Sequence, residues 1–399
     1  MRKDLIETSS RFVITAILQL SCFLVSSKVL SIEEFGVLSI VLAYAFIGAN
    51  ISVSGLPASL VYFFTKNNYK LIVLHLTVVH SLVVMSLFSL GIFIAWQLEL
   101  ETFLFASLIA TSQFLFIVVS GVLQASNKIR LLNIFTLAQW GMLSALLVYM
   151  YFSTASLYGV VISYVLSFAI PSAVALLVLK SSVIRYLGTF SSKNLIKKRR
   201  IIRIYKYGFV SFTGSLIGFL NHRLDLLIVG GILGTHIAGL YSFAIQIVER
   251  LSIFSQAFTT VYFPKLRRLN GRQSRLSEIK KAIKYLIIIL IPTFITFFVF
   301  YEAILKLFFD SKYEDAYKII NILAVGVFVV SINRLLFIFN SANGDITANL
   351  KIGLMSLGTN VTLSIAAVFI YGESGIALVT CVVAFLSQIL VVRYIRKSD

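Results

Sequence analysis

Few side chains interrupt the long apolar runs of this sequence, and those that do are the ones able to do chemistry there. Asn221, His222, Arg223 and Asp225 stand together in one run, Gln246, Glu249 and Arg250 in the next, Asn333 and Arg334 in a third, and His80 alone in an earlier one. A planar guanidinium presents paired donors that match the oxygens of a phosphate or diphosphate. Acids and histidines inside apolar segments can take up and release protons, and an acid can also meet a sodium ion. Arg223, Arg250, Arg334 and Asn221 are therefore the candidate substrate-binding groups, and Asp225, Glu249, His80 and His222 the candidate ion-coupling groups.

Spacing restricts which of these can meet. At about 100° per helical residue, Asn221 and His222 share a face with Asp225, while Arg223 points about 200° away from it. Arg223 is thus left to face a cavity, to pair across helices, or to snorkel toward the outer interface. Gln246 and Arg250 can lie on one helix face, with Glu249 beside them; the acid and base serve either an ion pair with another helix or a substrate or coupling-ion site. Arg334 reads as a contact for an incoming anion or as an anchor at the inner end of its helix. His80, isolated in its run, reads first as a packing histidine. Pro171 and Pro292 permit kinks. The pairs Gly214 with Gly218 and Gly230 with Gly234 permit close helix approach.

The elements that must hold these groups are membrane helices. Of the 399 residues 59% are hydrophobic and 13% charged, against roughly 25% charged in an ordinary soluble domain. Apolar runs of the length needed to cross a hydrocarbon core of about 30 Å recur along the chain, without the alternation of a membrane barrel. Twelve spans are expected, at 12–27, 37–56, 71–96, 102–123, 131–151, 157–179, 208–233, 237–263, 285–305, 319–340, 352–370 and 376–392. Arg2 and Lys3 before the first run mimic a signal peptide, but the repeat described below uses that run as a full helix.

The net charge of +19 is read better by position than by total. Of the 35 Lys and Arg, 28 fall in the termini and even-numbered loops, 4 in the odd-numbered loops, and Arg223, Arg250 and Arg334 inside helices. Such asymmetry places both termini and the large central loop on the cytoplasmic side. It accounts for the basic balance without nucleic acid, and the run at 193–206 could hold anionic lipid headgroups. Cys22 and Cys381 lie in the first and last spans, with neither a disulfide framework nor metal-ligand spacing. With no Walker loop, H-E-x-x-H or Rossmann glycine pattern, no cofactor, metal or ATPase activity is expected.

The basic segment near the middle separates two similar halves. Phe35-Gly36-Val37-Leu38-Ser39 matches Ala238-Gly239-Leu240-Tyr241-Ser242, Val61-Tyr62-Phe63 matches Val261-Tyr262-Phe263, and Leu123-Gln124-Ala125-Ser126-Asn127 matches Phe339-Asn340-Ser341-Ala342-Asn343, at separations of 203, 200 and 216 residues. Order and placement favour a duplicated six-helix unit. An even helix number gives a parallel repeat, an all-α integral membrane protein of two six-helix bundles related by a pseudo-two-fold axis along the membrane normal. The expected domains are an N-terminal bundle at 1–180, a basic cytoplasmic linker at 181–207 and a C-terminal bundle at 208–399.

Three segments make the pattern more specific: Ser31-Ile32-Glu33-Glu34-Phe35-Gly36-Val37-Leu38, then Asp225-Leu226-Leu227-Ile228-Val229-Gly230 leading into Ala238-Gly239-Leu240-Tyr241-Ser242-Phe243-Ala244, and Asn343-Gly344-Asp345-Ile346-Thr347-Ala348-Asn349-Leu350. With these the chain resembles, over essentially its whole length, the polysaccharide and O-antigen flippases of the multidrug, oligosaccharidyl-lipid and polysaccharide exporter superfamily. The resemblance implies a non-enzymatic transporter of a bacterial cytoplasmic (inner) membrane. Its substrate would be an undecaprenyl-diphosphate-linked oligosaccharide, moved outward by alternating access with H+ or Na+ as coupling ion. Its surroundings would be membrane lipids and other polysaccharide assembly proteins. The rival readings are a membrane glycosyltransferase or polymerase using Glu33 and Glu34, and a drug or cation antiporter of the same superfamily. Three arginines against two acids in the spans favour an anionic cargo over a cationic one.

Overall fold

The computed structural model describes residues 2–63, 80, 83–84, 100–126, 128–153, 156–188, 198–309 and 311–397. Of the expected third span, at 71–96, only 80 and 83–84 are among these residues, and 189–197 of the central basic segment lie outside them. Every regular element among the described residues is helical. The chain forms two compact units, Met1–Ser31 with Val37–Leu216, and Ile32–Gly36 with Ile217–Asp399.

Numbering the described helices in order, the first unit holds α1 (Arg2–Val29), most of α2 (Ile32–Val53), α3 (Leu56–Phe63), α4 (Leu100–Ala125), α5 (Ile129–Phe152), α6 (Leu157–Gly188) and the beginning of α7 (Lys198–Leu233). Helix α2 stops because Ser54 and Gly55 take positive φ, 44° and 70°, a region that favours glycine. The glycine is also needed for space. A Cβ on Gly55 would lie 2.0 Å from the carbonyl oxygen of Gly208 on α7. The Ser59 hydroxyl completes this crossing by donating to the Ile204 carbonyl at 2.9 Å. Leu56, Leu60, Phe63, Leu123, Phe135, Leu179 and Ile204 fill the space around it. Pro171 is accommodated within α6 without ending it.

The second unit holds the rest of α7, then α8 (Thr235–Glu249), a single 3-10 turn (Arg250–Ser252), α9 (Ile253–Arg268), α10 (Arg272–Phe309), α11 (Tyr317–Asn343) and α12 (Ile346–Lys397). The eighth span, expected as one helix, is therefore interrupted at Arg250. Helix α10 continues through Pro292. Helix α12 is a hairpin. Its helical geometry breaks at Gly372 (φ 58°, ψ −143°), and the hydroxyls of Ser356 and Ser387 touch, although about 46 Å would separate them on a straight helix. The arms, 346–371 and 373–397, correspond to the last two expected spans.

The first turn of α2 also belongs to the second unit. Gly36 and Gly239 allow it to dock there. A Cβ on Gly36 would fall 1.9 Å from the Thr235 carbonyl oxygen, and one on Gly239 would fall 2.1 Å from that of Ile32. Around the glycines, Glu33 accepts a hydrogen bond from Thr235 at 3.2 Å. Phe35 meets the edge of Tyr313, which stacks on Phe243 with centroids 3.8 Å apart. Gly218 and Gly234, expected at close helix contacts, instead have open space where a Cβ would stand. The role of Gly234 is its φ of 88°, which ends α7.

Among the described residues nine helical stretches are long and apolar enough to cross a membrane, the last of them being the α12 hairpin. The protein is a multi-pass membrane protein.

Candidate functional site

The charged groups expected from the sequence gather mainly in the second unit. Arg223 of α7 reaches across to Glu249 at the end of α8, and its Nη2 donates to Oε2 at 3.0 Å. The two side chains are 27% and 33% exposed, so the pair is not sealed inside the protein. Of the three environments open to Arg223, pairing across helices is the one adopted.

Asp225 turns the other way, as the 100° spacing requires. It is 3% exposed. Its Oδ2 accepts from the Thr380 hydroxyl at 3.0 Å and from the Tyr241 hydroxyl at 3.4 Å. Oδ1 has no partner from another described residue. The carboxylate thereby joins α7, α8 and the second arm of α12. Tyr241 stands in the Ala238-Gly239-Leu240-Tyr241-Ser242 repeat match, which does not mark it as the partner of an acid, and nothing in the sequence marks Thr380. Hydroxyl residues are common in apolar helices, and Thr380 lies 155 positions from its acid.

His222 is exposed and lies within electrostatic range of Glu249, Arg334 and Arg223. Arg334 of α11 is half-buried and also within range of Glu249. His222, Arg223, Glu249 and Arg334 thus share one neighbourhood, in which a single acid faces two arginines. Arg250, half-buried, opens the 3-10 turn immediately after Glu249.

Two expected residues have other engagements. Asn221 donates to the carbonyls of Ile217 at 3.0 Å and Gly353 at 3.2 Å, tying α7 to the first arm of α12. His80 belongs to the first unit, where its Nδ1 is 3.2 Å from the Tyr205 hydroxyl and its ring meets the tyrosine edge-on. Asn333, the residue before Arg334, is buried and donates to the Ala384 carbonyl at 3.0 Å. Among the described residues no group of three or more His, Cys, Asp or Glu side chains could hold a metal ion.

Chemically, the arrangement offers guanidinium groups to an anion, with one carboxylate as internal competitor, and a secluded carboxylate that hydroxyls hold. Comparisons with known proteins give the family and the fold. The family described as polysaccharide biosynthesis protein matches residues 25–318. The capsular polysaccharide biosynthesis protein CapF of Staphylococcus aureus is 24% identical over 337 residues, which cover 82% of this chain and 81% of that one. A probable low-salt glycan biosynthesis flippase of Haloferax volcanii is 23% identical over 197 residues, 49% of this chain and 42% of that one. The solved structure of the lipid II flippase MurJ, in an inward closed conformation, shares the fold with a TM-score of 0.77 at 16% identity, covering 97% of this chain and 87% of that chain.

Proposed function

The chain belongs to the polysaccharide biosynthesis protein family, and on that premise we propose that it is a flippase for undecaprenyl-diphosphate-linked oligosaccharide. Its cargo would be a repeat unit of O-antigen or another surface polysaccharide, carried from the cytoplasmic to the outer leaflet of a bacterial cytoplasmic membrane. The observation that carries the reading is the cationic surplus within membrane-length helices, where Arg223 and Arg334 share Glu249 and Arg250 stands next to it. Charged side chains at such depth cost roughly 2.5 to 3.5 kcal/mol each on insertion scales, a cost that an anionic cargo offsets.

In this mechanism the diphosphate meets Arg334 and Arg250 and takes the place of Glu249 on Arg223, while the polyprenyl tail stays in lipid. Asp225 is the coupling group. Its carboxylate with the Tyr241 and Thr380 hydroxyls offers hard oxygen atoms that suit a proton or a sodium ion. Because the acid and its two partners come from three helices, a change of charge on Asp225 alters how the helices are held and so biases alternating access. His222 is the second proton acceptor of the group. Charge asymmetry and the internal repeat support twelve spans in two six-helix bundles, 1–180 and 208–399, joined by a basic cytoplasmic segment at 181–207, with both termini cytoplasmic.

The test is a reconstituted flipping assay with fluorescent polyprenyl-diphosphate oligosaccharide in liposomes, comparing native protein with Arg223→Ala and Arg250→Ala. Native protein should move the lipid, and each substitution should slow it at least tenfold with folding intact. Native protein that moves no lipid across several glycans, yet elongates a glycan or exchanges cations, would replace this reading with an enzyme or an antiporter.

A further inference from the structure

The 3-10 turn at Arg250–Ser252 does more than interrupt a helix, because it changes which side chains share a face. On a continuous α-helix Gln246 and Gln256 would point about 80° apart. Three residues wound at about 120° instead of about 100° advance the later helix by roughly 60°, bringing the two amides within about 20° of each other. They then lie about 16 Å apart along one line. Thr260, four residues further on, falls on the same line, and Arg250 flanks it.

Each amide is braced in the same way. Gln246 Nε2 donates to Ser242 Oγ at 3.2 Å, and Gln256 Nε2 donates to Ser252 Oγ at 3.3 Å. A serine one turn earlier fixes each plane, and the amide's carbonyl and second N–H can still serve a ligand. Gln256 and Thr260 are exposed, and Gln246 and Arg250 are half-buried. They sit on a stretch, Thr235–Arg268, that is apolar and long enough to cross a membrane. An exposed amide such as that of Gln256 at such a place faces water or a polar ligand, because hydrocarbon offers it no partner.

We propose that this line, Gln246, Gln256 and Thr260, is a glycan subsite that reads sugar hydroxyls while Arg250 and Arg223 hold the diphosphate. The assignment rests on the flippase reading and names the part of the same cargo that α8 and α9 contact. Uncharged amides that both donate and accept, with the Thr260 hydroxyl, which donates to the Gln256 main-chain carbonyl at 2.9 Å and keeps its oxygen as an acceptor, match polyhydroxylated sugar and offer little to a phosphate. Along the axis Arg250 lies between Gln246, about 6 Å to one side, and Gln256 and Thr260, about 10 and 16 Å to the other, so the contacts for sugar flank the diphosphate.

The experiment compares two probes in proteoliposomes, a polyprenyl diphosphate bearing a fluorescent hexose and N-acetylhexosamine trisaccharide, and bare fluorescent polyprenyl diphosphate. Gln246→Met and Gln256→Met keep length and helix preference while deleting the amide. Each should weaken apparent affinity for the glycosylated lipid about 3- to 10-fold, the worth of one or two uncharged hydrogen bonds, and leave the bare lipid within twofold. Gln246→Asn and Gln256→Asn, which keep an uncharged amide on a shorter arm, should recover part of the loss and separate it from any effect of Met substitution on folding. Equal weakening for both probes, or none for either, overturns the subsite while leaving the flippase reading intact. Native protein that binds and moves neither probe overturns both.

Discussion

Replacing Glu249 with Gln should tighten the hold on an anionic headgroup, although it removes an ion pair. The pair is 3.0 Å long between side chains 27% and 33% exposed. Coulomb attraction at that distance is about 1.4 kcal/mol in bulk water and about 5.5 kcal/mol at an effective dielectric of ~20. Partial exposure and the entropy of fixing two side chains lower the net to about 1 to 2 kcal/mol. A diphosphate that takes Arg223 must overcome this amount. Removing the carboxylate charge should therefore lower the dissociation constant for polyprenyl diphosphate roughly 5- to 30-fold. Tighter binding slows release, so the flipping rate at saturating lipid should fall. The assay is fluorescence anisotropy with purified protein and labelled polyprenyl diphosphate, run at low and high salt because a half-exposed pair is screened. Arg223→Ala should weaken binding whether position 249 is Glu or Gln. Weaker binding by the Glu249→Gln protein, or binding that ignores both residues, would refute the competition on which the mechanism depends.

Other outcomes follow from the same geometry. Asp225→Asn keeps the hydroxyl partners but fixes the charge, so flipping should lose its dependence on an imposed ion gradient while passive exchange of the lipid persists; gradient and no-gradient liposomes compare the two. Gly36→Ala and Gly239→Ala each place a Cβ about 2 Å from a carbonyl oxygen, and overpacking of that size should cost about 1 to 3 kcal/mol or more, measured as a lower Tm in detergent. Burial pushes the Lys312 ammonium, in the loop before α11, below its ordinary pKa despite nearby Glu34. The unfolded chain then holds the proton to higher pH than the folded one, so stability should rise with pH between the lowered value and about 10.4. Lys312→Met should remove that rise in pH-dependent melting curves.

The apolar runs made the helices legible because a helix that crosses lipid must satisfy its own backbone and present apolar side chains over a fixed length. The angle argument for Arg223 and Asp225 was legible for the same reason. Neighbours on one helix obey a fixed rotation, and the two side chains leave in different directions, one to Glu249 and the other to Tyr241 and Thr380. What stayed hidden is the identity of the partner across helices, since nothing in the spacing of Arg223 selects Glu249, and nothing near Thr380 marks it as the companion of an acid 155 residues away. Local breaks differed among themselves. Gly372 carries a signal, a glycine between two apolar runs at a place where only positive φ allows so short a reversal. The turn at Arg250–Ser252 carries none, because its residues have ordinary helical preferences and its backbone stays within helical bounds apart from Ser252 at φ −78°, ψ −1°. A shift of roughly 20° per residue is too small to leave a mark in composition, yet summed over three residues it decides whether Gln246 and Gln256 serve one ligand or two different surroundings. The residues that hold charge can thus be found by asking what is costly in an apolar run, whereas the residues that read neutral sugar become visible only after the helix has been wound.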